Sequence, residues 1–163
     1  MEDTRWLTPE ELRAWTRFVA VVELLPGVLD SQLQRDADLS HFEYFVLAML
    51  SEAPQKTLRM TGLASATNAT LPRLSHVVSR LEKRGFIERT ACAEDRRATN
   101  ATLTDGGWEK VVATAPGHVE TVRENVIDPL TDADVADLTR IMGRVLAKLD
   151  PQHRFNAVAT TDR

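Results

Sequence analysis

The chain contains one cysteine, Cys92. No intrachain disulfide can form, and the composition suits a reducing, cytoplasmic setting. Long apolar runs are also missing. The longest, Tyr44-Phe45-Val46-Leu47-Ala48-Met49-Leu50, falls far short of the ~20 residues a bilayer-spanning helix needs. The first residues, Met1 to Trp6, carry neither a cationic start nor an apolar core, so a secretory leader is not expected. Internal repeats and low-complexity tracts are absent. His41, His76, His118 and His153 lack close metal-ligand spacing, and there is no Gly-x-Ser-x-Gly elbow or phosphate-cradling glycine loop. Ser75 and His76 are adjacent, so on a helix they point ~100° apart and cannot pair as nucleophile and base. An enzyme is therefore not expected, nor is a metal or a cofactor.

What remains is ordinary in bulk and uneven in distribution. The 163 residues are 43% apolar and 27% charged, enough for one cored domain or two small subdomains. The net charge of −4 conceals a polarity. From Ala53 to Leu81 the basic residues Lys56, Arg59, Arg73 and Arg80 occur without a single acidic one. Extended to Asn100, the stretch holds nine basic against four acidic residues, a net of +5; eleven basic and twenty acidic lie outside it, a net of −9. A basic central module flanked by acidic segments points to nucleic acid, provided binding is confined to that module.

Thr8, Pro9 and Glu11 form a capping box that opens a helix with an apolar stripe through Leu12, Trp15, Val19, Val22, Leu29 and Leu33. Pro26-Gly27 predicts a kink within it. Ser40-His41-Phe42-Glu43 opens a second helix to about Ser51, and Glu52 to Thr57 reads as a loop. A short helix follows from about Arg59 to Ala66, then a turn at Asn68. The next helix runs from about Thr70 to Arg84, where Gly85 ends it. Its apolar face is Leu71, Leu74, Val77, Val78 and Leu81. Phe86–Ala91 and Ala98–Leu103 read as paired strands around a polar turn at 93–97. Thr104-Asp105 caps another helix, interrupted at Pro116-Gly117 and stopped by Pro129. Thr131 to Asp134 caps the last, ending near Leu149. A small hairpin inserted after a helix-turn-helix is the winged-helix order.

A helix that reads the major groove needs an anchored face, an outer face of short polar and basic groups, and no acid at its leading end. Thr70 to Lys83 meets all three: Thr70, Arg73, Ser75 and His76 project from the first turns, with Ser79 and Arg80 behind. At the hairpin tip, Asp95-Arg96-Arg97 offers arginine to a narrow minor groove, with Asp95 placed to grip a guanidinium through two hydrogen bonds.

Leu81-Glu82-Lys83-Arg84-Gly85, Ile87-Glu88-Arg89, Asp95-Arg96-Arg97 and Leu103-Thr104-Asp105-Gly106-Gly107 together resemble the MarR family of transcription regulators. The resemblance implies a mostly α fold: a winged helix-turn-helix DNA-binding domain at 39–104 with a small β-hairpin wing, embedded between N- and C-terminal dimerisation helices at 1–38 and 105–150, and a disordered tail at 151–163. It implies a homodimer on a pseudo-palindromic operator, more a repressor than an activator. Thr70, Arg73, Ser75, His76, Ser79 and Arg80 would meet bases and phosphates, with Arg97 as the minor-groove arginine, Asp95 orienting it and Arg96 also on the DNA-binding surface. It also implies release by a small phenolic or aromatic effector, for which Trp15, Phe18, Tyr44, Phe45, His118 and Arg123 are the candidate lining. Cys92 reads as a small strand residue. Two alternatives stay open, a non-specific architectural DNA binder and a ligand-binding or adaptor helical dimer.

Overall fold

Side-chain caps set most of the helix boundaries. The computed structural model describes residues 4–93, 95 and 97–154. Helix α1 (Pro9–Ala37) opens on a reciprocal box in which Thr8 Oγ1 accepts from the Glu11 amide at 3.2 Å and Glu11 Oε2 accepts from the Thr8 amide at 2.8 Å. It closes at Asp38, whose φ of 52° is left-handed. Helix α1 runs through Pro26 as one helix, as the apolar stripe continuing to Leu29 and Leu33 predicts. Pro26 and Val22, whose carbonyl loses its partner, are both exposed, so water can satisfy that oxygen.

Helix α2 (His41–Glu52) repeats the device with Ser40 and Glu43. The His41 amide donates to Asp30 Oδ1 at 2.8 Å, fixing the start of α2 to α1. After a 3-10 turn at Pro54–Lys56, the expected loop ends instead in a strand, β1 (Thr57–Arg59). Helices α3 (Met60–Ala66) and α4 (Leu71–Lys83) follow, joined through Asn68 at φ 50°. Strands β2 (Ile87–Ala91) and β3 (Thr99–Leu103) complete a three-stranded antiparallel sheet in the order β1-β3-β2, with Leu58 opposite Ala101 and Arg89 opposite the same residue on the other side.

Helix α5 (Asp105–Val122) passes through Pro116-Gly117 without the expected interruption. The backbone widens later, in a π-helical turn at Arg123–Ile127, where the Asp128 amide donates to the Arg123 carbonyl at 2.8 Å. Helix α6 (Asp132–Leu149) is capped by Thr131 and Asp134.

The core lies under α4. Leu33, Leu39, Val46, Leu47, Leu50, Leu63, Leu74, Val78 and Leu81 are fully buried, joining α1, α2, α3 and α4, while Ala101 and Leu103 seal the sheet against them. Each such leucine contributes roughly 1.5–3 kcal/mol. The periphery is the reverse. Helix α6 buries no residue of its own, and Leu12, Trp15, Val21, Val22 and Leu24 on α1 are exposed together with Ile141, Val145 and Leu149 on α6. Among the described residues, no helix is long and apolar enough to cross a membrane. The expected tail lies mostly outside the described residues; its described part forms a turn in which Arg154 Nε donates to the buried Asp150 at 3.1 Å.

Candidate nucleic-acid interface

The motif residues fasten the hairpin to the reading helix. Glu82, near the end of α4, accepts from the Arg89 amide at 3.1 Å and from its Nε and Nη2 at 3.0 and 2.6 Å. These bonds hold the Glu82 carboxyl below its ordinary range. Gly85 takes a φ of 78° to turn the chain back, and Thr104 Oγ1 donates to its carbonyl at 2.6 Å while capping α5 through the Gly107 amide at 3.0 Å. Gly107 is packed so closely that a Cβ there would overlap the Phe86 carbonyl oxygen and approach Leu103 Cδ1 to 2.6 Å. The Leu-Glu-x-x-Gly and Leu-Thr-x-x-Gly motifs are thus one joint seen from both ends.

At the leading end of α4, Thr70 spends its hydroxyl as the cap, accepting from the Arg73 amide at 3.4 Å. Arg73 is exposed, with its guanidinium 4.3 Å above the Phe42 ring. His76 is exposed and Ser79 half-buried. Leu71, expected in the core, is 45% exposed beside them, because the first turn of α4 overhangs the end of the core. It joins a groove of about 210 Å³ whose rim carries Arg59, Thr61, Ser75, Arg89 and Arg97. Three arginines from β1, β2 and the wing tip therefore converge on the side of the reading helix. Arg59 and Thr61 escaped the sequence reading. The only available signal was Arg59's place in the acid-free basic stretch, since its nearness to Arg97 depends on the β1–β3 pairing.

The hairpin tip differs from expectation in one respect. Asp95 Oδ1 accepts from the Arg97 main-chain amide at 3.0 Å and the Asp95 carbonyl accepts from Ala98 at 2.9 Å. Asp95 shapes the turn instead of gripping the Arg97 guanidinium, because a side chain two residues back reaches the amide first. Arg97 is exposed. Arg96 lies outside the described residues.

Arg80 is committed elsewhere. Its Nη2 donates to Glu43 Oε1 at 2.7 Å, and the Glu43 side chain is only 7% exposed. The pair joins α4 to the cap of α2. Arg80→Ala is expected to lower the urea-unfolding free energy by about 1–3 kcal/mol, because it strands a buried carboxylate. Adding Glu43→Gln is expected to restore part of that loss; if Arg80→Ala unfolds like the parent, the pair has no structural role.

The candidate effector lining does not form one site. Trp15 and Phe18 pair on the exposed part of α1, with centroids 6.2 Å apart, while Arg123 is bound to Asp128 at 2.7 Å. Phe45 packs on the core. Apart from the Trp15–Phe18 pair, Tyr44 and His118 meet at 4.8 Å, with His41 stacked on His118 at 6.5 Å. Burial raises the Tyr44 hydroxyl above its ordinary range. Burial holds both imidazoles below the ordinary 6.5, against the pull of Asp30 on His41 and with the repulsion of His41 adding to it on His118. The buried His118 Nδ1 has no hydrogen bond among the described residues.

The folded state therefore favours two neutral rings, and the unfolded chain binds protons first. Stability is fully present above about pH 6.5 and falls as pH drops toward the lowered folded values. Thermal midpoints are expected to begin declining as pH falls below about 6.5, before the carboxylates titrate. His118→Gln is expected to flatten that decline; an unchanged slope would assign it elsewhere.

The comparisons with known proteins fit this geometry. The model of the MarR family matches residues 39–99. The chain is similar to Sco3205, a MarR family transcriptional regulator from Streptomyces coelicolor crystallised in complex with DNA. The identity is 45% and the TM-score 0.87, over 93% of this chain and 94% of that one. It is also similar to AbsC, another MarR family regulator from Streptomyces coelicolor, at 37% identity and TM-score 0.83, over 90% and 98% of the two chains. The Bacillus subtilis protein YdcH, an uncharacterized HTH-type transcriptional regulator, is 37% identical over 81 residues, which is 48% of this chain. The match spans little more than half, 55%, of YdcH's own length. With close similarity over nearly its full length to regulators of one family, and with that family's motif residues building the joint between reading helix and wing, this chain belongs to the MarR family of transcriptional regulators.

Proposed function

We propose that the chain binds double-stranded DNA as a homodimer, each copy laying the start of α4 in a major groove and Arg97 in the adjoining minor groove. The observation that carries this reading is that Arg59 and Arg97 line one groove beside an exposed, acid-free first turn of α4, with Arg89 held in its wall by Glu82. An arginine-rimmed groove next to a helix N-terminus suits phosphate. The crystallisation of Sco3205 with DNA supports the same assignment by similarity.

Within this reading, Thr70, Arg73, Ser75, His76 and Ser79 face the duplex, with Arg96 and Arg97 at the wing, while Asp95 and Arg80 hold the surfaces that do. The exposed apolar faces of α1 and α6 supply the dimer contact, so that 1–38 and 105–150 pair and 39–104 reads DNA. Occupation of a promoter makes the protein a cytoplasmic repressor. A small aromatic effector would act where Tyr44 meets His118, between α2 and α5.

The test is fluorescence anisotropy on the chain's own upstream region and on a random duplex at fixed salt. The specific duplex should bind more tightly. Arg73→Ala is expected to cost about 1–3 kcal/mol on that duplex and much less on random DNA. Equal losses on both would make Arg73 a phosphate contact, and equal parental affinity for both would favour the architectural alternative.

A further inference from the structure

The back of the DNA-reading lobe, away from the arginine groove, holds an apolar pocket of about 320 Å³ between α2 and α3. Met49, Ala53, Pro54, Leu58 and Ala66 make most of its wall, and Arg154 stands on its rim. This is the point at which the described chain ends. The turn that brings it there is anchored, since Asp150 is 4% exposed and accepts from Arg154 Nε. The next four residues are Phe155-Asn156-Ala157-Val158, uncharged and with a large apolar side chain first.

We propose that this pocket is the seat of the chain's own C-terminal segment, with Phe155 inserted between α2 and α3. An apolar cavity open to water gains roughly 25 cal/mol for each Å² it covers. A segment tethered at the rim reaches it at high effective concentration with little further loss of entropy. The docked segment straps the end of α6 to the helix-turn-helix. A dimerisation arm that buries no residue of its own thereby gains a fixed attachment to the unit that reads DNA.

Engineered thiols test this in the full chain carrying Cys92→Ser. Gly62 lines the pocket, and a Cβ built on it meets nothing within 4 Å, so Gly62→Cys is tolerated. Combined with Phe155→Cys, mild oxidation is expected to give a crosslink that keeps the mobility of a single chain on a non-reducing denaturing gel. If Phe155 is the inserted residue, it should form several times faster than the crosslink from Asn156→Cys, one position further along. Phe155→Ala, in the parent background, is expected to speed amide exchange across α2 and α3 severalfold. Equal crosslinking rates for the two positions, no crosslink, or exchange unchanged in Phe155→Ala would each overturn the proposal. A crosslink between two chains would overturn it as well, by assigning the pocket to a second copy's segment.

Discussion

Arg97→Ala is expected to weaken binding to the specific duplex by about ten- to a hundredfold, about 1–3 kcal/mol, with the thermal midpoint unmoved. The separation of function from stability follows from the turn. Asp95 holds the Arg97 amide, not its guanidinium, so alanine keeps the bond that shapes the tip and loses only the exposed cation. The salt slope of binding should fall by about one as well, since a single phosphate-seeking charge disappears. Anisotropy titrations across a salt series, with a thermal melt of each protein, check both halves. Undiminished affinity would remove the wing from the interface. A matching drop in midpoint would make Arg97 a structural residue.

Gly107→Ala is expected to be strongly destabilising, since it is the one glycine at which an added Cβ would meet another atom closer than 3.0 Å. The added carbon would overlap the Phe86 carbonyl, a main-chain atom held between β2 and the end of α4, and so unable to step aside as a flexible side chain can. A cost of about 3 kcal/mol is expected, a fall of roughly 6–12 °C in thermal midpoint for a chain of this size. Its neighbour is the control. A Cβ on Gly106 comes no nearer than 3.6 Å to any atom, an ordinary contact, so Gly106→Ala should melt close to the parent. Indistinguishable melts for the two variants would mean that the joint is looser than its geometry implies.

Capping and periodicity make the helices legible from sequence, because both are local: Thr8 with Glu11, Ser40 with Glu43 and Thr131 with Asp134 act within one turn. What escaped depends on distant partners. Strand β1 is three residues long and exists because Thr57 to Arg59 lie along β3, some forty residues onward. Without that pairing nothing places Arg59 beside Arg97. Pro116 misled in the opposite direction. It forfeits one hydrogen bond, but α5 packs along α1, and that contact outweighs a local fault. Leu71 fits the apolar period of α4 yet stands clear of the core, since periodicity gives a direction around the helix and not where the core beneath it ends. Arg80 reads as an outward cation from its position; only the tertiary structure reveals the buried carboxylate waiting for it.

The Glu82–Arg89 clip, the Thr104–Gly85 bond and the close fit at Gly107 tie the end of α4, the base of the β2–β3 hairpin and the root of α5 into one joint. A swing of α5 therefore carries α4 and the base of the hairpin with it. If both meet DNA as proposed, they would leave their grooves together.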